Sequence, residues 1–576
     1  MKTFLGALLF FLAFGWLVLL LAAIGLLYFA AVVLSILAAI VLTWLFLPSI
    51  SQNIDKKTGK TFWLVILISL FASLAACYFA TPTVFGGRDQ GSIGTAAIYL
   101  SQNHSLEIDI PVAHDLFQKY GPGKSLNFPG FDYASDGSLF SRFPPGFTAY
   151  LAGTYELFGL KGIQYANFVP LFFFLAIFWL ILKEFFDEKI SFLGFLLAGT
   201  FFPFLWFSKY ALTETSMLFL VWTGIYFLIA YKKSASIRHL QIALAAFSLS
   251  ALVRIEGIVF FLLAIAYILF LQRKKMISLP KNFKKNIAIA TLALLGLYIW
   301  LNFPDLIDSL KNLVKAFLPN SAKESAPSAN LYAYLARIFF NYNIAAYVVV
   351  GLVGIALLGK NVRKNWEKSE FLPIFITFPA FLYLLSPMIT LDEPWFFRRF
   401  VFAVFPALIF YTVYVFQKFF RHKIFLYFIL IVLIAANSVV SWRFFTTSEN
   451  KKLLPQIEKL SQTFNGDDLV LVDRLATGSG YSLASEPLRT LFGKQAVYFF
   501  NAEDLKLVDQ NRYKNIYLVA PLMSEEQNLW YTELIKGKSL ASAQIINNNF
   551  LQPSDKKWAL AQNVTMEDLV GIWKVK

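Results

Sequence analysis

Residues 5–48 read LGALLFFLAFGWLVLLLAAIGLLYFAAVVLSILAAIVLTWLFLP, and no charged side chain interrupts this stretch. A helix that crosses a bilayer needs about 20 mostly apolar residues. At about 1.5 Å of rise per residue, the stretch is long enough for two such helices, and we predict that they turn near Gly25. Because no polar, small-residue cleavage region follows the first apolar run, we do not expect a removable signal peptide.

Further apolar runs of helix length follow along the chain. They span residues 62–80, 163–182, 190–207, 211–231, 240–253, 257–271, 287–301, 340–358, 372–386, 400–416 and 424–440. Together with the first two they predict about thirteen spans by the length criterion. The interval 240–271 is long for one span and short for two, because Arg254 and Glu256 interrupt it.

The composition is that of a membrane protein. The 576 residues are 58% hydrophobic and only 15% charged, whereas soluble domains are about 25% charged. This composition excludes an ordinary soluble enzyme and a disordered chain. The single cysteine, Cys77, lies in an apolar run, which excludes a disulfide-built module and a cysteine-based metal site.

The distribution of Lys and Arg predicts the orientation. Short loops of one parity are basic, as in residues 273–285 and 418–423, and such loops face the cytoplasm. The N-terminus is then cytoplasmic, whereas 81–162, 302–339 and 387–399 face the outside. The net charge of +16 is therefore a topology signal and an attraction to anionic lipid, not a nucleic-acid surface. We expect a multi-pass protein of the plasma membrane.

The chain becomes polar after residue 441. Short apolar runs at 469–472, 496–500 and 516–520 alternate with helix-like stretches, a pattern typical of a small α/β domain. By parity this domain is extracytoplasmic. Residues 478–480 (Gly-Ser-Gly) follow a predicted strand but lack a full phosphate-loop pattern, so we interpret them as a turn.

These features divide the chain into three parts. We predict an N-terminal transmembrane hairpin with a cytoplasmic loop at 1–60, a transmembrane core at 61–441 and an extracytoplasmic α/β domain at 442–576. Within the core, residues 81–162 form a long first outer loop.

The first outer loop contains a carboxylate close to the membrane. Residues 85–93 read FGGRDQGSI, which places Asp89 about nine residues beyond a predicted span and next to Arg88. An acidic group held at the outer membrane surface can take a proton from an acceptor hydroxyl. The alternative is a solvated loop carboxylate or a helix cap.

Charged residues also stand at the outer ends of later predicted spans. They are Lys209, Glu214, Arg254, Glu256, Arg398 and Arg399. A charge inside a bilayer is costly, so such residues are functional candidates. Several cations at one depth would suit a lipid-linked phosphate, because guanidinium groups bind phosphate oxygens bidentately. The alternative is snorkelling to the interface or an ion pair between helices.

Two remaining parts of the outer loop give local predictions. After the paired prolines of SRFPPGF (141–147), residues 148–159 are short, aromatic and amphipathic, which suits a helix lying in the interface. A set of possible metal ligands also lies in the loop: His104, Glu107, Asp109, His114 and Asp115. Their spacing matches no metal motif, so we interpret them as solvated residues. We expect no required cofactor, and the sequence does not support a divalent metal.

Several short motifs resemble a known class of enzyme. They are Arg-Asp-Gln-Gly at 88–91, Ala-Ala-Ile-Tyr-Leu at 96–100, Arg-Phe-Pro-Pro-Gly-Phe at 142–147 and Leu-Phe-Gly at 157–159. They resemble the GT-C class of polyprenyl-phosphate-sugar-dependent glycosyltransferases, which includes protein O-mannosyltransferases and aminoarabinose transferases of lipid A. The resemblance covers about residues 62–440 in layout. It implies a polytopic helical core, with the C-terminal domain placed as in enzymes capped by such a domain.

The resemblance assigns roles residue by residue. It makes Asp89 the catalytic base, although Gln90 stands where many members have a second acid. Some relatives have a basic residue before the paired prolines; here Phe143 occupies that position and Arg142 is its neighbour. The residues expected to hold the donor phosphate are Arg254, Arg398, Arg399, Arg142 and Lys209. Supporting roles fall to Arg88, Glu214 and Glu256.

The resulting hypothesis is an inverting sugar transfer at the outer face. The donor is a sugar on polyprenyl phosphate, and the acceptor is a hydroxyl of a lipid, glycan or protein. The alternative is a lipid or glycan transporter or flippase without chemistry. A transferase should bring Asp89 beside Arg254 and Arg398 or Arg399, whereas a transporter should carry charges near mid-membrane. An oligosaccharyl- or O-antigen-polymerising enzyme is disfavoured, because no Trp-Trp-Asp motif occurs.

Overall fold

The structure is a computed structural model that describes most of the chain. It describes residues 1–51, 59–86, 88–279, 281–317, 329–360, 368–385, 392–420, 422–478, 480–481, 483–522, 529–554, 556 and 558–576. For residues 49, 51, 302–317 and 329–331 it describes the backbone alone. The predicted basic residues Lys56, Lys57, Arg363, Lys364 and Arg421 lie outside the described residues.

The N-terminal apolar stretch forms a helical hairpin, as predicted. The first helices are α1 (Lys2–Ala23), α2 (Phe29–Ser51) and α3 (Lys60–Tyr78). The turn after α1 contains Gly25 at φ +71°, a conformation that glycine adopts without steric strain. A Cβ on Gly25 would lie 3.3 Å from the carbonyl oxygen of His104, so the hairpin turn packs against the first outer loop.

The first outer loop folds into helices and a small sheet. Its elements are α4 (Asp89–Asn103), β1 (Glu107–Ile108), α5 (Pro111–Tyr120), β2 (Gly123–Lys124), β3 (Phe131–Tyr133), β4 (Leu139–Ser141) and α6 (Pro145–Phe158). The four strands are antiparallel, in the order β1-β4-β3-β2. Helix α6 is short, but its first nine residues are buried against α1, α4 and α12 (defined below). Small residues cause this burial: the Cβ position of Gly146 lies 2.6 Å from the carbonyl oxygen of Leu252.

The following helices build the densest part of the core. They are α7 (Leu160–Gln164), α8 (Phe168–Phe185), α9 (Glu188–Gly199), α10 (Phe202–Phe207), α11 (Thr213–Ser234), α12 (Ile237–Val253) and α13 (Glu256–Arg273). Two helices therefore occupy the ambiguous interval 240–271. They separate at Arg254, whose backbone is extended at φ −149° and ψ 149°.

The remaining membrane helices include two bent pairs. They are α14 (Phe283–Phe317), α15 (Ala329–Asn341), α16 (Ala345–Gly359), α17 (Leu372–Thr377), α18 (Leu382–Leu385), α19 (Arg398–Val401), α20 (Val404–Phe419) and α21 (Lys423–Phe445). The α15–α16 region bends by 108° and the α19–α20 region by 66°. The candidate span ends at Leu301, as predicted, and α14 continues as a helix to Phe317 into the segment that is predicted to face the outside. Apolar residues at 303, 306, 307, 310, 313, 314 and 317 have helical spacing, which favours this continuation.

Eight described helices are long and apolar enough to cross a bilayer, or up to ten if each bent pair is one span. The other predicted spans correspond to the shorter apolar helices Ile237–Val253 and Ser369–Leu385 and to the interrupted segment α9–α10. The sequence estimate of about thirteen spans thus counted segments that are short or broken at a turn. The prediction of a polytopic helical membrane protein is confirmed.

The C-terminal part is a small α/β domain, as predicted. Its elements are α22 (Leu453–Ser461), β5 (Leu469–Val472), α23 (Ser485–Thr490), β6 (Gln495–Tyr498), β7 (Ile516–Pro521), α24 (Thr532–Ile535), β8 (Leu540–Gln552) and β9 (Gln562–Lys574). The sheet order is β6-β5-β7-β9-β8, with β5 parallel to β6 and β7 and an antiparallel β8–β9 hairpin. The sequence analysis did not anticipate this long hairpin.

The outer loop and the C-terminal domain share one hydrophobic core. Ile108, Phe128 and Tyr133 of the loop are buried in the same cluster as Leu469 and Val497 of the domain. The loop that begins with Asp89 is therefore packed against the C-terminal sheet rather than solvated.

Candidate functional site

Two glycines position the beginning of α4. A Cβ on Gly91 would lie 1.3 Å from the carbonyl oxygen of Phe85, and a Cβ on Gly94 would lie 2.4 Å from that of Thr83. Any larger residue would push the helix away from the segment that follows α3. The glycines thus fix Asp89, the first residue of α4, at the end of the neighbouring membrane helices.

Asp89 begins a row of alternating charges. Its carboxylate pairs with the Arg398 guanidinium, and Arg398 Nε lies 3.0 Å from Glu214 Oε1. The Asp89 side chain is 37% exposed and that of Glu214 is fully buried. We call Asp89, Arg398, Glu214, Arg254 and Glu256 the charged ladder; its open end is Asp89.

Arg254 forms the buried end of the ladder together with Glu256. Its Nη1 lies 2.7 Å from Glu214 Oε1 and donates to Thr213 Oγ1 at 3.0 Å. Its Nη2 and Nε contact the two oxygens of Glu256 at 2.9 and 3.2 Å. The helix breaks between α12 and α13 at Arg254. The carboxylates of Glu214 and Glu256 offset the cost of partly burying its guanidinium there.

Helix N-termini converge on the ladder. Asp89 is the first residue of α4, Glu214 the second of α11, and Glu256 the first of α13. The N-terminus of a helix carries a partial positive charge and unpaired N–H groups. These positive helix ends offset part of the charge of the ladder, whose three carboxylates outnumber its two arginines.

Arg399 lies beside the ladder. Its guanidinium lies 5.1 Å from the centroid of the Tyr383 ring, and the Tyr383 hydroxyl donates to Glu256 Oε1 at 2.8 Å. In the part of the chain that the structure describes, no carboxylate lies within ion-pair distance of Arg399.

Arg88 adjoins a cavity at the base of the C-terminal domain. Its Nη2 lies 2.9 Å from Asp392 Oδ2, and its guanidinium lies between the rings of Trp395 (4.8 Å) and Tyr481 (4.7 Å). The cavity has a volume of about 360 Å³, and Arg88 and Gln90, which flank Asp89 in the sequence, both line it.

A buried acid lines the same cavity. Glu449 Oε2 accepts from the Tyr210 hydroxyl at 3.0 Å, and Oε1 accepts from the Leu551 N–H at 2.9 Å. Burial raises the pKa of Glu449 above its usual value, against the opposing effect of Arg88. The cavity therefore combines a fixed cation with a carboxyl group that binds a proton more readily than in water.

Two predicted phosphate ligands have other partners. The Lys209 ammonium donates to the carbonyls of Phe444, Phe445 and Thr447 at 2.8, 2.5 and 3.0 Å. Phe444 and Phe445 are the last two residues of α21, and Thr447 follows the helix. Arg142 Nε donates to Asp132 Oδ1 at 2.6 Å, across the β3–β4 pair. Lys209 uses all three of its protons, so it has no donor left for a ligand.

The candidate metal ligands remain dispersed. His104 Nδ1 contacts the Leu27 carbonyl oxygen at 2.8 Å, and His114 Nε2 contacts Asp109 Oδ1 at 2.7 Å. Asp115 is an acceptor for Arg512. Among the described residues, no three His, Cys, Asp or Glu side chains gather as metal ligands would. These five side chains therefore do not form a metal site among the described residues.

Sequence reasoning missed several residues around the site. Asp392 and Trp395 shortly precede the predicted Arg398 in the sequence, and this proximity was a signal that could have identified them as site residues. Glu449 and Tyr481 come from the C-terminal domain region, far along the chain. Tyr383 lies in an apolar helix. No local pattern marks these three residues.

Comparisons with known proteins identify the fold. No protein-family model matches the chain, and no curated protein matches it. The structure of ArnT from Cupriavidus metallidurans bound to undecaprenyl phosphate is 10% identical, with a TM-score of 0.50, and the match covers 90% of this chain and 99% of that chain. The Archaeoglobus fulgidus oligosaccharyltransferase in complex with Zn and sulfate is 12% identical, with a TM-score of 0.47 over 79% of this chain and 68% of that chain.

The likeness to ArnT shows the fold of this chain. The chain is a polytopic helical membrane protein that shares its fold with ArnT and has a small C-terminal sheet domain. At this level of identity the comparison carries no residue assignment.

Proposed function

We propose that this protein transfers a sugar from a polyprenyl-phosphate donor to an acceptor hydroxyl at the outer face of the plasma membrane, with inversion at the anomeric carbon. One observation carries the proposal: a partly exposed carboxylate, Asp89, is in contact with Arg398, which belongs to a partly buried pair of arginines joined by Glu214. A base and a phosphate site are needed side by side in such a reaction.

The proposed step balances without a cofactor. The acceptor oxygen attacks the anomeric carbon while its proton passes to Asp89. The bond between the anomeric carbon and the phosphate oxygen breaks, and polyprenyl phosphate leaves with one more negative charge. Arg398, Arg254 and Arg399 stabilise that charge as it develops, which typically contributes about 3–4 kcal/mol per donor.

The ladder supports an exchange of partners on donor binding. Arg398 is shared between Asp89 and Glu214, and Glu214 also holds Arg254. A donor phosphate that takes one edge of the Arg398 guanidinium would release Asp89 while Glu214 keeps the arginine in place. Glu214 and Glu256 are thus positioning residues, which orient the arginines and make their burial possible.

The cavity beside Arg88 supports a site for the acceptor. It is adjacent to Asp89 through Arg88 and Gln90, and it is bounded by the C-terminal domain. In this arrangement the donor lipid approaches from the membrane helices and the acceptor from the side of the domain. The basic-loop topology supports an N-terminus in the cytoplasm and a C-terminal domain outside.

The test is Asp89→Asn in the purified full chain. Synthetic polyprenyl-phosphate sugars are supplied together with envelope extract as the acceptor source, and released polyprenyl phosphate is measured. We expect Asp89→Asn to lose at least about 100-fold in rate and Asp109→Asn, an exposed carboxylate of the same loop, to keep the wild-type rate. An unchanged rate in Asp89→Asn would show that Asp89 is not the base. Redistribution of intact donor between leaflets, without release, would favour the transporter alternative.

A further inference from the structure

A second cavity lies at the other face of the segment that joins α21 to α22. It has a volume of about 710 Å³. We call it the polar groove, and its lining residues are Thr446, Thr447, Ser448, Lys451, Lys452, Gln456, Asn547, Asn548, Asn549, Asn563 and Thr565. The proposed transfer reaction uses none of these side chains.

The polar groove begins where a membrane helix ends. Helix α21 ends at Phe445, and the next three residues all line the groove. On the last turns of α21, the side chains of Val439 and Trp442 are 72% and 79% exposed. Exposed apolar residues of a spanning helix face lipid, and tryptophan is typical of the boundary between acyl chains and headgroups. The groove therefore opens at headgroup level.

The chemistry of the groove suits an anion with hydroxyl groups. Its lining contains two lysines, amides and hydroxyls, and no acidic side chain. Neither Lys451 nor Lys452 forms an ion pair with any described residue. Asn548 is buried, and its Nδ2 donates to the Thr477 carbonyl at 3.3 Å, so the amides that face the groove are those of its neighbours on the strand.

The walls of the groove are held in place. Asn549 Nδ2 donates to the Ser448 carbonyl at 2.6 Å, and Gln456 Nε2 donates to the Asn547 carbonyl at 2.8 Å. The last carbonyls of α21 carry a partial negative charge that would repel an anion, but the Lys209 ammonium covers them. This gives Lys209 a role other than donor-phosphate binding: it makes the end of α21 compatible with a nearby anion.

From these observations we infer that the polar groove binds the phosphate and glycerol hydroxyls of an anionic phospholipid from the adjoining leaflet. Such a lipid would fix the C-terminal domain to the membrane surface. The position at the end of a lipid-facing helix favours a membrane lipid over a soluble phosphate ester. This inference does not depend on the transfer reaction.

The test is lipid retention by the full chain in native mass spectrometry. The probes are phosphatidylglycerol, phosphatidylcholine and glycerol 3-phosphate. The variant Lys451→Ser/Lys452→Ser is compared with Lys536→Ser/Lys538→Ser, which removes two exposed lysines before the other end of β8. We expect the groove variant alone to bind phosphatidylglycerol about 30-fold more weakly, because each lysine near an anionic surface contributes about 1 kcal/mol.

Three results would overturn the inference. They are equal retention of phosphatidylglycerol and phosphatidylcholine by the wild type, equal losses in the two double variants, and displacement of phosphatidylglycerol by equimolar glycerol 3-phosphate. A thermal-unfolding scan of each variant without added lipid checks that both remain folded. If the double variant does not fold, the single variants Lys451→Ser and Lys452→Ser take its place, and we expect weaker phosphatidylglycerol retention in each.

Discussion

The charged ladder and the Glu486–Arg489 pair are two buried groups of the same chemistry in different surroundings. Glu486 and Arg489 of α23 pair with each other, and the guanidinium lies 4.9 Å from the Phe128 ring centroid and 5.7 Å from that of Tyr99. This pair is closed on all sides by the outer loop and the domain. The ladder instead ends in Asp89, whose side chain is 37% exposed.

The two groups differ in their accessibility and in the number of partners that each charge has. In the closed pair, Glu486 and Arg489 bind each other and are both buried, and the guanidinium also donates to the Ala496 carbonyl at 3.1 Å. In the ladder, two carboxylates share Arg398, and one of them is accessible. An anion can therefore enter the ladder by exchange, whereas entry to the closed pair would require unfolding of α23 from α4. The predictions below test this difference.

The largest effect is expected at the open end of the ladder. Arg398→Ala should reduce sugar transfer by about 100–1000-fold, because a preorganised donor to the developing phosphate charge is lost. Arg398→Lys should recover only part of the rate, since one ammonium cannot replace a fork of two N–H groups. The measurement is single-turnover release of polyprenyl phosphate. Equal rates in Arg398→Ala and wild type would remove this arginine from the donor site.

The next largest effect is expected at the closed pair, and on stability. Arg489→Ala should lower the free energy of unfolding by about 3–5 kcal/mol, because Glu486 is left buried without its partner. The double change Glu486→Leu/Arg489→Leu should recover most of that loss. Chemical denaturation followed by intrinsic fluorescence measures both. In each variant the transfer rate per folded molecule should stay at the wild-type value, and a rate loss in the double variant would contradict the assignment of a structural role.

A moderate effect is expected where α4 meets the segment before it. Gly91→Ala places a Cβ against the carbonyl oxygen of Phe85, so the beginning of α4 must move and Asp89 moves with it. We expect kcat to fall by about 100-fold, the size of effect that a displacement of about 1 Å causes. Gly121→Ala, at a loop glycine with φ +65° and no neighbour within 4 Å, is the control for glycine loss alone and should keep kcat.

The smallest effect concerns Glu449 and pH. Burial raises the pKa of this carboxyl group in the folded state, so the folded protein binds the proton more tightly than the unfolded chain. The stability that this proton binding contributes is fully present below the pKa that Glu449 has in the unfolded chain. It is lost as the pH rises through the pKa that Glu449 has in the folded protein. Glu449→Gln should therefore gain Tm relative to wild type as pH rises above about 4.5. A Tm difference that is flat from pH 4 to 8 would contradict this account.

The sequence predicted the features that depend on local pattern. Length and hydropathy gave the helices, the φ-permissive Gly25 marked the first turn, and charged residues in apolar runs identified Glu214, Arg254 and Arg398. The contact between Asp89 and Arg398 joins residues far apart in the chain, so only a resemblance could suggest it. Lys209 shows the limit of the charge argument: three carbonyls at the end of α21 satisfy it, and helix capping leaves no mark in composition.

The core shared by the outer loop and the C-terminal domain has a consequence for biosynthesis. Strand β4 of the loop and strand β5 of the domain are separated by roughly 330 residues, which a ribosome adds in about 20–70 s. During that time Phe128 and Tyr133 of the loop lack the cover of Leu469, Val497 and their neighbours. Asp89, the proposed base, is thus synthesised early, but the domain that packs against its loop is translated last. Until then the nascent loop exposes apolar side chains that a chaperone can bind.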